Sequence, residues 1–388
     1  MTVLSREAAP AVVSIVRTPI GRRAGALSAI PATVLGGAVI REAVGRARVE
    51  PEHIDDVIMG CTLAPEGNPA RVALLEGGLP DDVPGLTIDR QCGSGINALV
   101  LAAQGVVAGG GVYVAGGMES MSREPFQLER SERAFPAAPP AFIRRALSTA
   151  EIGDPTMGIT AENLAARYGI TREEQDDYAL RSQRLMAEAV DAGLFADHMI
   201  AVDLPDGSRL ERDEHPRPGT TREALAKLRP VFASPGTVTA GNASGINDGA
   251  AAAVLMSAAE AQDRGLDPIC RIVGWTVAGV DPNVMGIGPV PAIRRLLADA
   301  GLALSDIDHI ELNEAFAVQV LACARELNLP MDRLNTAGGA IAHGHPIAAT
   351  GTMLIAKTAS VMRARGLRRA IVAACIGGGQ GIAMLLER

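Results

Sequence analysis

Cys92 is the first residue whose type and setting suggest covalent chemistry. It stands in Arg90-Gln-Cys-Gly-Ser-Gly95, directly before a predicted helix. The free N–H groups and the dipole at a helix N-terminus favour a thiolate, so the sequence predicts a nucleophile with a lowered pKa. The flanking glycines would let a ligand come close. The alternative is a small buried cysteine without chemistry, which is the commoner situation for this residue type.

A pair of histidines could supply the base. His343 and His345 lie in Gly338-Gly-Ala-Ile-Ala-His-Gly-His-Pro-Ile-Ala-Ala-Thr-Gly351, and an imidazole is the natural base for a nearby thiol. The alternatives are a metal-binding pair and two hydrogen-bonded core histidines. A metal needs a third ligand, and no carboxylate or cysteine lies at short spacing, so we expect no metal site.

Two further segments offer donors for a developing negative charge. The glycines of Cys375-Ile-Gly-Gly-Gly-Gln-Gly381 carry backbone N–H groups that could form an oxyanion hole. A dinucleotide loop is excluded because Ile382 is too bulky for the third small position of that pattern, while a structural thiol at a strand end stays open for Cys375. Asn313, in Asn313-Glu-Ala-Phe316, could donate to an oxyanion and is equally compatible with helix capping.

An internal repeat relates the two ends of the chain. An amphipathic helix and an Ile-Asp-rich strand at 38–60 recur at 292–313, and a glycine-led helix with its strand at 94–115 recurs at 350–374. Repeated helix–strand units predict two homologous α/β halves.

The spacing inside the repeat connects it to the chemistry. The interval from Gly60 to Cys92 and the interval from Asn313 to His345 are both 32 residues. Cys92 and His345 are therefore expected at matching positions, each in a loop before a helix, and to face each other if the halves pack about a pseudo-twofold axis.

Different material lies between the halves. Residues 122–235 are richer in charge and proline, which predicts an inserted subdomain. Within it a helix is predicted at 172–192, with Thr171 and Glu174 as its capping box. After it, a loop of small residues is expected to lead into a helix at 250–261.

Composition excludes some classes of partner. The 388 residues are 48% hydrophobic, which suits a globular protein of two or three domains. The net charge is −8, aromatic residues make up 3%, and no basic run occurs, so no nucleic-acid partner is expected. Five widely spaced cysteines without a C-x-x-C pair favour neither a disulfide framework nor a zinc ribbon.

The cysteine spacing favours a reducing compartment. No apolar segment of a secretory signal is visible near the first residues, so the cytoplasm is the expected compartment. Residues 91–118 contain no charged residue, and this stretch is long enough for a transmembrane helix to be an alternative. Asn97, Gln104 and the glycines at 109–111 interrupt it. A buried helix at 95–107 followed by a buried strand is the preferred interpretation, with no membrane partner.

Taken together, the ordered motifs resemble the thiolase family over nearly the whole chain. The motifs that carry the resemblance are Cys92-Gly-Ser-Gly95, Gly116-Gly-Met-Glu-Ser-Met-Ser122, Thr239-Ala-Gly-Asn-Ala-Ser-Gly245, Asn313-Glu-Ala-Phe316, Gly344-His-Pro346 and Cys375-Ile-Gly-Gly-Gly379. The resemblance implies an α/β thiolase-like fold, with two homologous βαβαβαββ halves in a five-layer αβαβα sandwich and an inserted loop domain. It places the N-terminal half at 1–121 and 236–268, the coenzyme A-binding loop domain at 122–235 and the C-terminal half at 269–388.

The resemblance also implies roles for the reacting residues. Cys92 would attack a thioester with His345 as its base, and Cys375 would move the proton on the α-carbon of the acetyl unit. Asn313 and His345 would hold a water in one oxyanion site, and the backbone N–H groups of Cys92 and Gly377 would form a second. Two sites suit this chemistry because an enolate and a tetrahedral oxyanion arise at different steps.

For the ligand, the resemblance implies coenzyme A and acetyl-CoA as substrates, with no permanently bound cofactor. Acyl-CoA thioesters are the expected partners, and a homodimer or homotetramer the expected assembly. Ser244 would contact the pantetheine arm. The residues expected to line the channel are Ala243, Met157, Met285, Phe232 and Phe316. Arg217, with Arg222, Lys227 and Arg229 nearby, would meet the nucleotide phosphates.

Several positions depart from the family pattern. His343 stands where an aliphatic residue is usual, and Thr156 stands where acetoacetyl-CoA-forming members often have histidine. Ala224 replaces a serine seen in some members, and Ala348 and Thr350 alter the loop that carries His345. These departures touch chain-length preference rather than the reacting set.

The sequence therefore predicts an acetyl-CoA acyltransferase that forms or cleaves a 3-oxoacyl-CoA by ping-pong Claisen exchange through an acyl-cysteine. Acetoacetyl-CoA is favoured because the channel is rich in methionine. The alternatives are a thiolase for longer or functionalised chains, a non-catalytic coenzyme A- or lipid-binding scaffold of the same fold, and a ketosynthase acting on carrier-protein thioesters.

Overall fold

A large mixed β-sheet runs through the molecule. The computed structural model describes residues 4–6, 8–135 and 139–388. Its strands are β1 (Ala11–Arg17), β2 (Gly21–Arg22), β3 (Asp56–Gly60), β4 (Gly85–Ile88), β5 (Tyr113–Ser120), β6 (Val202–Asp203), β7 (Arg209–Leu210), β8 (Asn247–Met256), β9 (Cys270–Gly279), β10 (His309–Leu312), β11 (Arg369–Ile376) and β12 (Gln380–Glu387).

Helices alternate with these strands along the chain. They are α1 (Ala32–Ala47), α2 (Pro69–Glu76), α3 (Ser94–Gly109), α4 (Met157–Tyr168), α5 (Arg172–Asp191), α6 (Arg222–Ala226), α7 (Ala258–Asp263), α8 (Pro289–Ala300), α9 (Ala317–Leu327), α10 (Ala340–His343) and α11 (Ile347–Arg365).

The strand order divides the sheet into two halves. The order is β10-β11-β12-β9-β1-β8-β5-β3-β4, with β2 added beside β8. Among the described strands, the two halves of the sheet are joined through β1 and β9, where Ala11 pairs with Arg271 and Val12 with Cys270. In each half, parallel pairing (β3 with β4 and β5, β10 with β11) is combined with antiparallel pairing (β5 with β8, β11 with β12).

The hydrophobic clusters define five layers. Helices α1 and α2 bury Val39 and Leu74 against one outer face. Helices α3 and α11 lie between the two half-sheets, where Leu99 and Leu354 pack. Helices α8 and α9 cover the other outer face through residues such as Ile293. The predicted αβαβα sandwich of two α/β halves is confirmed, and the domain boundaries given above stay a prediction.

The middle layer explains the uncharged segment. Gln91–Gly109 is long and apolar enough to cross a membrane by length and composition, but most of it is buried inside the protein. Sheets cover most of this helix, and its exposed positions are confined to Gln104 and the last turn, so little of its surface needs charge. The predicted helix of 95–107 is confirmed, and it extends one residue earlier and two later.

The inserted segment contains the predicted capped helix. In α5 the Thr171 side chain accepts from the Glu174 backbone N–H, and the Glu174 carboxylate accepts from the Thr171 N–H at 2.8 Å. This reciprocal pair satisfies two free donors at the first turn. The helix packs on α9 and α10, so the insertion is anchored to the C-terminal half next to His343.

The predicted helix at 250–261 is wrong. Residues Asn247–Met256 form the fully buried strand β8, and only Ala258–Asp263 is helical. The run Gly-Ala-Ala-Ala-Ala-Val-Leu-Met is apolar throughout, and periodicity alone does not separate a buried strand from a buried helix. Alanine favours a helix in isolation, but here β8 lies between β1 and β5, where small side chains let layers pack closely on both faces.

Candidate functional site

Three short segments bring the predicted nucleophile, base and oxyanion donor together. Cys92 lies in the 3-10 turn Gln91–Gly93 at the start of α3. His345 lies between α10 and α11, and Asn313 directly follows β10. Each position is the end of a strand or the start of a helix of the repeated unit, which is why the equal 32-residue intervals predicted that Cys92 and His345 face each other.

The turn at Cys92 is held by local hydrogen bonds. Gln91 adopts a positive φ of 45°, and Asp89 Oδ1 accepts from its backbone N–H at 2.8 Å. Ser94 Oγ donates to the Gln91 carbonyl at 2.7 Å and accepts from the Arg90 N–H at 2.9 Å. These contacts fix the turn that carries the half-buried Cys92, whose sulfur lies next to His345.

His345 presents one ring nitrogen to the thiol. Its Nε2 lies 3.2 Å from Cys92 Sγ and 3.5 Å from Asn313 Nδ2. Its Nδ1 lies 2.7 Å from Thr350 Oγ1, whose hydroxyl donates to the Pro346 carbonyl at 3.1 Å. Thr350 must therefore accept from Nδ1–H, so the Nε2 lone pair faces the thiol. This is the tautomer that a general base needs.

The predicted lowering of the thiol pKa is wrong for the resting site. Burial raises the pKa of Cys92 to about 11, although the backbone N–H groups of Gly377 and of Cys92 itself pull it down. Burial also lowers the pKa of His345 to about 4. Desolvation outweighs the helix terminus because it penalises both charged partners, so the resting pair is a thiol beside a neutral imidazole.

Cys375 belongs to the same site. It is fully buried, and its pKa is raised well above the ordinary value by burial and by the neighbouring Cys92 and Cys323. The segment after it packs on the Cys92 turn, since a Cβ added at Gly93 would lie 2.6 Å from Ile376 Cδ1. The backbone N–H of Gly377 lies close enough to lower the pKa of the Cys92 thiol. Two sulfurs, an imidazole and free backbone donors thus share one site.

Most of the predicted channel residues surround these groups. Cys375 packs in a cluster with Met157, Met285, Phe316 and Ala243. Phe232 meets Phe316 edge to face at 6.4 Å and covers Gly158, where a Cβ would lie 2.1 Å from its ring. Ser244 lies next to this wall, and its N–H donates to the Ala315 carbonyl at 3.0 Å.

Arg217 lies further out, at a cavity of about 330 Å³. The other residues lining this cavity include Gln183, His215, Thr220, Ala224, Leu228, Ala240 and Gly241. Of the other predicted cations, Arg222 is engaged in an ion pair with Asp177, while Lys227 and Arg229 are exposed. The predicted basic patch is therefore weaker than its sequence suggests, because one of its four charges is neutralised.

Sequence reasoning missed three buried residues that support the site. Thr350 orients His345, as described above. Asn247 Oδ1 accepts from the His345 backbone N–H at 2.8 Å. The Glu119 carboxylate accepts from the N–H groups of Leu63 at 3.0 Å and Ala348 at 3.1 Å, which ties the loop after β3 to the first turn of α11.

A metal does not fit this arrangement. Within the described parts of the chain, no three His, Cys, Asp or Glu side chains are grouped so as to hold a metal ion. His343 and His345 do not converge on one point, since His343 contacts Lys357 and Gly344 while His345 contacts Cys92. The metal-pair alternative for the two histidines is therefore not supported by their geometry.

Comparisons with known proteins agree with the geometry. The family model described as "Thiolase, N-terminal domain" matches residues 10–259, and that described as "Thiolase, C-terminal domain" matches residues 266–388. An acetyl-CoA acetyltransferase of Escherichia coli (strain K12) is 47% identical over 388 aligned positions, covering 97% of this chain and 98% of the relative. A 3-oxoadipyl-CoA/3-oxo-5,6-dehydrosuberyl-CoA thiolase of the same strain is 46% identical, covering 96% and 98%.

Solved structures are similar over the same length. The crystal structure of the Bacillus anthracis acetyl-CoA acetyltransferase has a TM-score of 0.92 at 43% identity and covers 98% of each chain. The human mitochondrial 3-ketoacyl-CoA thiolase in complex with CoA also has a TM-score of 0.92, at 41% identity and 99% coverage of each chain.

Proposed function

The chain belongs to the thiolase family, and we propose that Cys92, His345 and Cys375 carry out its acyl transfer. The protein is an acyltransferase with thiolase activity, as its relatives at 45–47% identity are named. The observation that carries the residue assignment is the 3.2 Å approach of His345 Nε2 to Cys92 Sγ.

In the first half-reaction, His345 Nε2 takes the Cys92 thiol proton as the sulfur attacks the thioester carbonyl. The charge on the carbonyl oxygen is met by the N–H groups of Cys92 and Gly377, and its collapse expels the coenzyme A thiolate. That thiolate takes the proton back from His345, leaving acyl-Cys92. Proton and charge transfer are concerted here, because the site disfavours a standing ion pair.

In the second half-reaction of synthesis, the Cys375 thiol passes its own proton to His345 as its sulfur takes a proton from the α-carbon of acetyl-CoA, and His345 later returns its proton to the Cys92 sulfur. Asn313 and His345, through a water, stabilise the enolate oxygen. The carbanion then attacks acyl-Cys92, which forms the new C–C bond and releases the Cys92 sulfur. Cleavage runs the same steps in reverse, with coenzyme A taking the acyl group from Cys92.

Coenzyme A is proposed to lie across the inserted segment as a substrate, with no other cofactor. Arg217 would meet its phosphates at the cavity described above, and Ser244 its pantetheine arm. Ala243, Met157, Met285, Phe232 and Phe316 would line the channel to Cys92. The support is that these residues form one continuous apolar wall ending at Cys375.

Acetoacetyl-CoA is the proposed substrate. Leu147 and Met157 crowd the Gly377 loop, with Leu147 Cδ1 2.9 Å and Met157 Sδ 3.5 Å from a Cβ built at Gly377, which favours a short acyl group. A functionalised chain is the second candidate, because a relative named for 3-oxoadipyl-CoA is 46% identical, almost as similar as the acetyltransferases.

A homodimer or homotetramer in the cytoplasm is the proposed state. The segment around Phe126 and Phe142 supports association, since both rings are largely exposed and lie against each other in a tilted arrangement, with their centroids 5.6 Å apart. The edge strand β4 leaves a row of backbone groups unpaired by any described strand. The cysteines at 61, 92, 270, 323 and 375 are all free, which suits a reducing compartment.

Thiolysis assays test the activity and the substrate. With coenzyme A, we expect faster cleavage of acetoacetyl-CoA than of 3-oxoadipyl-CoA or a C8 3-oxoacyl-CoA. Cys92→Ser should abolish the acyl-enzyme seen by mass spectrometry and leave coenzyme A binding intact. Cys375→Ala should still acylate but fail to exchange the α-protons of acetyl-CoA. An acyl adduct on another residue, or normal exchange in Cys375→Ala, would contradict the assignment.

A further inference from the structure

His343 is an unusual residue beside the site that the mechanism does not use. It is buried, ends α10 and precedes the catalytic base by two positions. Its ring bridges two groups: Nε2 lies 3.4 Å from Lys357 Nζ, and Nδ1 lies 2.8 Å from the Gly344 carbonyl oxygen.

The buried Lys357 determines which ring nitrogen carries the hydrogen. Its ammonium ion-pairs with Glu311 Oε1 at 2.8 Å, donates to the Gly338 carbonyl and has its third proton available for His343. An ammonium group only donates, so His343 Nε2 must accept. The ring hydrogen is then on Nδ1 and is donated to the Gly344 carbonyl.

The ring also stays neutral. Burial, followed by the cations Lys357 and Arg17, lowers the pKa of His343 well below its ordinary value, with a further small lowering from His215. A neutral ring with a fixed hydrogen has one acceptor and one donor, and both are engaged.

The group that His343 holds is the peptide unit leading into His345. The Gly344 carbonyl and the His345 N–H belong to that unit, and Asn247 Oδ1 accepts from the N–H at 2.8 Å. Asn247 is itself fixed by donation to the Gly21 carbonyl at 3.0 Å. Gly344 has a φ of +102°, a conformation that glycine adopts easily. Because glycine has so much backbone freedom, hydrogen bonds from neighbouring side chains must fix the plane of the Gly344–His345 peptide.

We propose that His343 is a positioning residue that clamps the Gly344–His345 peptide from its carbonyl side, with Lys357 and Glu311 locking its tautomer. The clamp fixes where the imidazole of His345 meets Cys92. This inference rests on the proposed role of His345 as base. A buried ion pair is weak evidence for stability, but it is well suited to selecting one hydrogen-bonded arrangement.

Two polar substitutions separate the two nitrogens of His343. His343→Asn places an amide near the Nδ1 position, where it can donate to the Gly344 carbonyl, but leaves nothing at Nε2. His343→Gln places its amide near the Nε2 position, where it can accept from Lys357, but leaves nothing at Nδ1. His343→Leu removes both groups and restores the aliphatic residue usual at this position.

The readout is steady-state thiolysis of acetoacetyl-CoA by the full-length protein. We expect His343→Gln and His343→Leu to lose about tenfold in kcat while KM for coenzyme A stays within about twofold, because the base is displaced and the binding channel is not. His343→Asn should keep kcat within about threefold of the wild type. Thermal unfolding of each variant shows whether it is folded.

Equal activity of the Asn and Gln variants, or a kcat within twofold of the wild type for His343→Leu, would overturn the proposal. If His343→Leu does not fold, the Asn and Gln pair decides alone. Failure of the proposed function is recognised separately: the wild type would not cleave acetoacetyl-CoA, or His345→Ala would cleave it normally.

Discussion

At the scale of single residues, the proposed reacting pair, Cys92 and His345, is uncharged and held in a fixed orientation. Burial disfavours both the Cys92 thiolate and the His345 imidazolium, so the hydrogen stays on sulfur until substrate arrives. Orientation compensates for this: Thr350 accepts the Nδ1–H of His345, and the Nε2 lone pair is thereby directed at Sγ. Reactivity toward the bound thioester therefore depends on geometry and nearby donors rather than on a preformed thiolate.

Alkylation of Cys92 by iodoacetamide should rise steadily with pH. Only the thiolate reacts, and a pKa raised to about 11 makes the thiol the dominant form below that pH. The rate should therefore increase about tenfold per pH unit from pH 7 to 9 without a plateau. Peptide mass spectrometry of the modified Cys92 measures it. A plateau near neutral pH would instead show a stable thiolate–imidazolium pair.

Removal of the Thr350 hydroxyl should misdirect the base. Thr350→Val keeps the shape but leaves His345 Nδ1 without its acceptor, so the ring loses its fixed tautomer. We expect kcat for thiolysis to fall by about one to two orders of magnitude, as misplacement of a catalytic group does. The matched control, Thr350→Ser, keeps the hydroxyl and should retain most of the activity. A Val variant as fast as the Ser variant would exclude this orienting role.

The sequence predicted that the proposed reacting residues lie together, but not which residues support them. Cys92, His345 and Cys375 were visible because each lies in a glycine-rich turn where a buried apolar residue is not expected. The role of Asn247 was invisible, since it arises from a contact with His345 in a segment far away in sequence. Thr350 was noted only as a departure in the loop that carries His345, and its orienting contact was not predicted. The thiol pKa was wrongly predicted because a helix N-terminus is readable from sequence and the depth of burial is not.

At the scale of secondary-structure elements, β5 packs so closely against α11 and β8 that only small side chains fit between them. A Cβ at Gly117 in β5 would lie 2.0 Å from the Ala348 carbonyl oxygen, in the first turn of α11. β5 also pairs with the alanine-rich β8, whose small residues were mistaken for a helix because sequence does not show which elements will cover them. Side-chain volume at these positions therefore fixes the distance between the middle helices and the N-terminal half-sheet.

Gly117→Ala should strongly destabilise the protein. The added methyl group meets backbone atoms that cannot move without shifting α11, and we expect a loss of about 3 kcal/mol in the free energy of unfolding. The control is Gly109→Ala at the end of α3, where an added Cβ meets no atom within 4 Å and a change of less than about 1 kcal/mol is expected. Urea denaturation measures both. Similar midpoints for the two variants would contradict the packing argument.

At the scale of the whole molecule, the site exists only because two related halves meet. Cys92 lies in the turn just before α3 of the N-terminal half, and His345 precedes α11 of the C-terminal half. These two helices pack together as the middle layer. The internal repeat predicted this meeting correctly. It could not predict how the inserted segment lies over the halves, because 122–235 has no counterpart in the second repeat.

The inserted segment also bears the surface on which the proposed assembly depends. Phe126, 89% exposed, and Phe142, 71% exposed, form an apolar patch. Exposing this patch to water is unfavourable in free energy, and burying it against another copy of the chain would remove that penalty. Phe126→Ser with Phe142→Ser should therefore yield a smaller assembly by light scattering after size exclusion. Thiolysis per chain should persist, since neither ring belongs to the cluster of residues packed around Cys375. Val190→Ser, at a site 45% exposed on α5, is the control and should leave the mass of the assembly unchanged.

An unaltered mass in the Phe126→Ser, Phe142→Ser double variant would show that this patch is not the interface, and the edge of β4 would be the next surface to test.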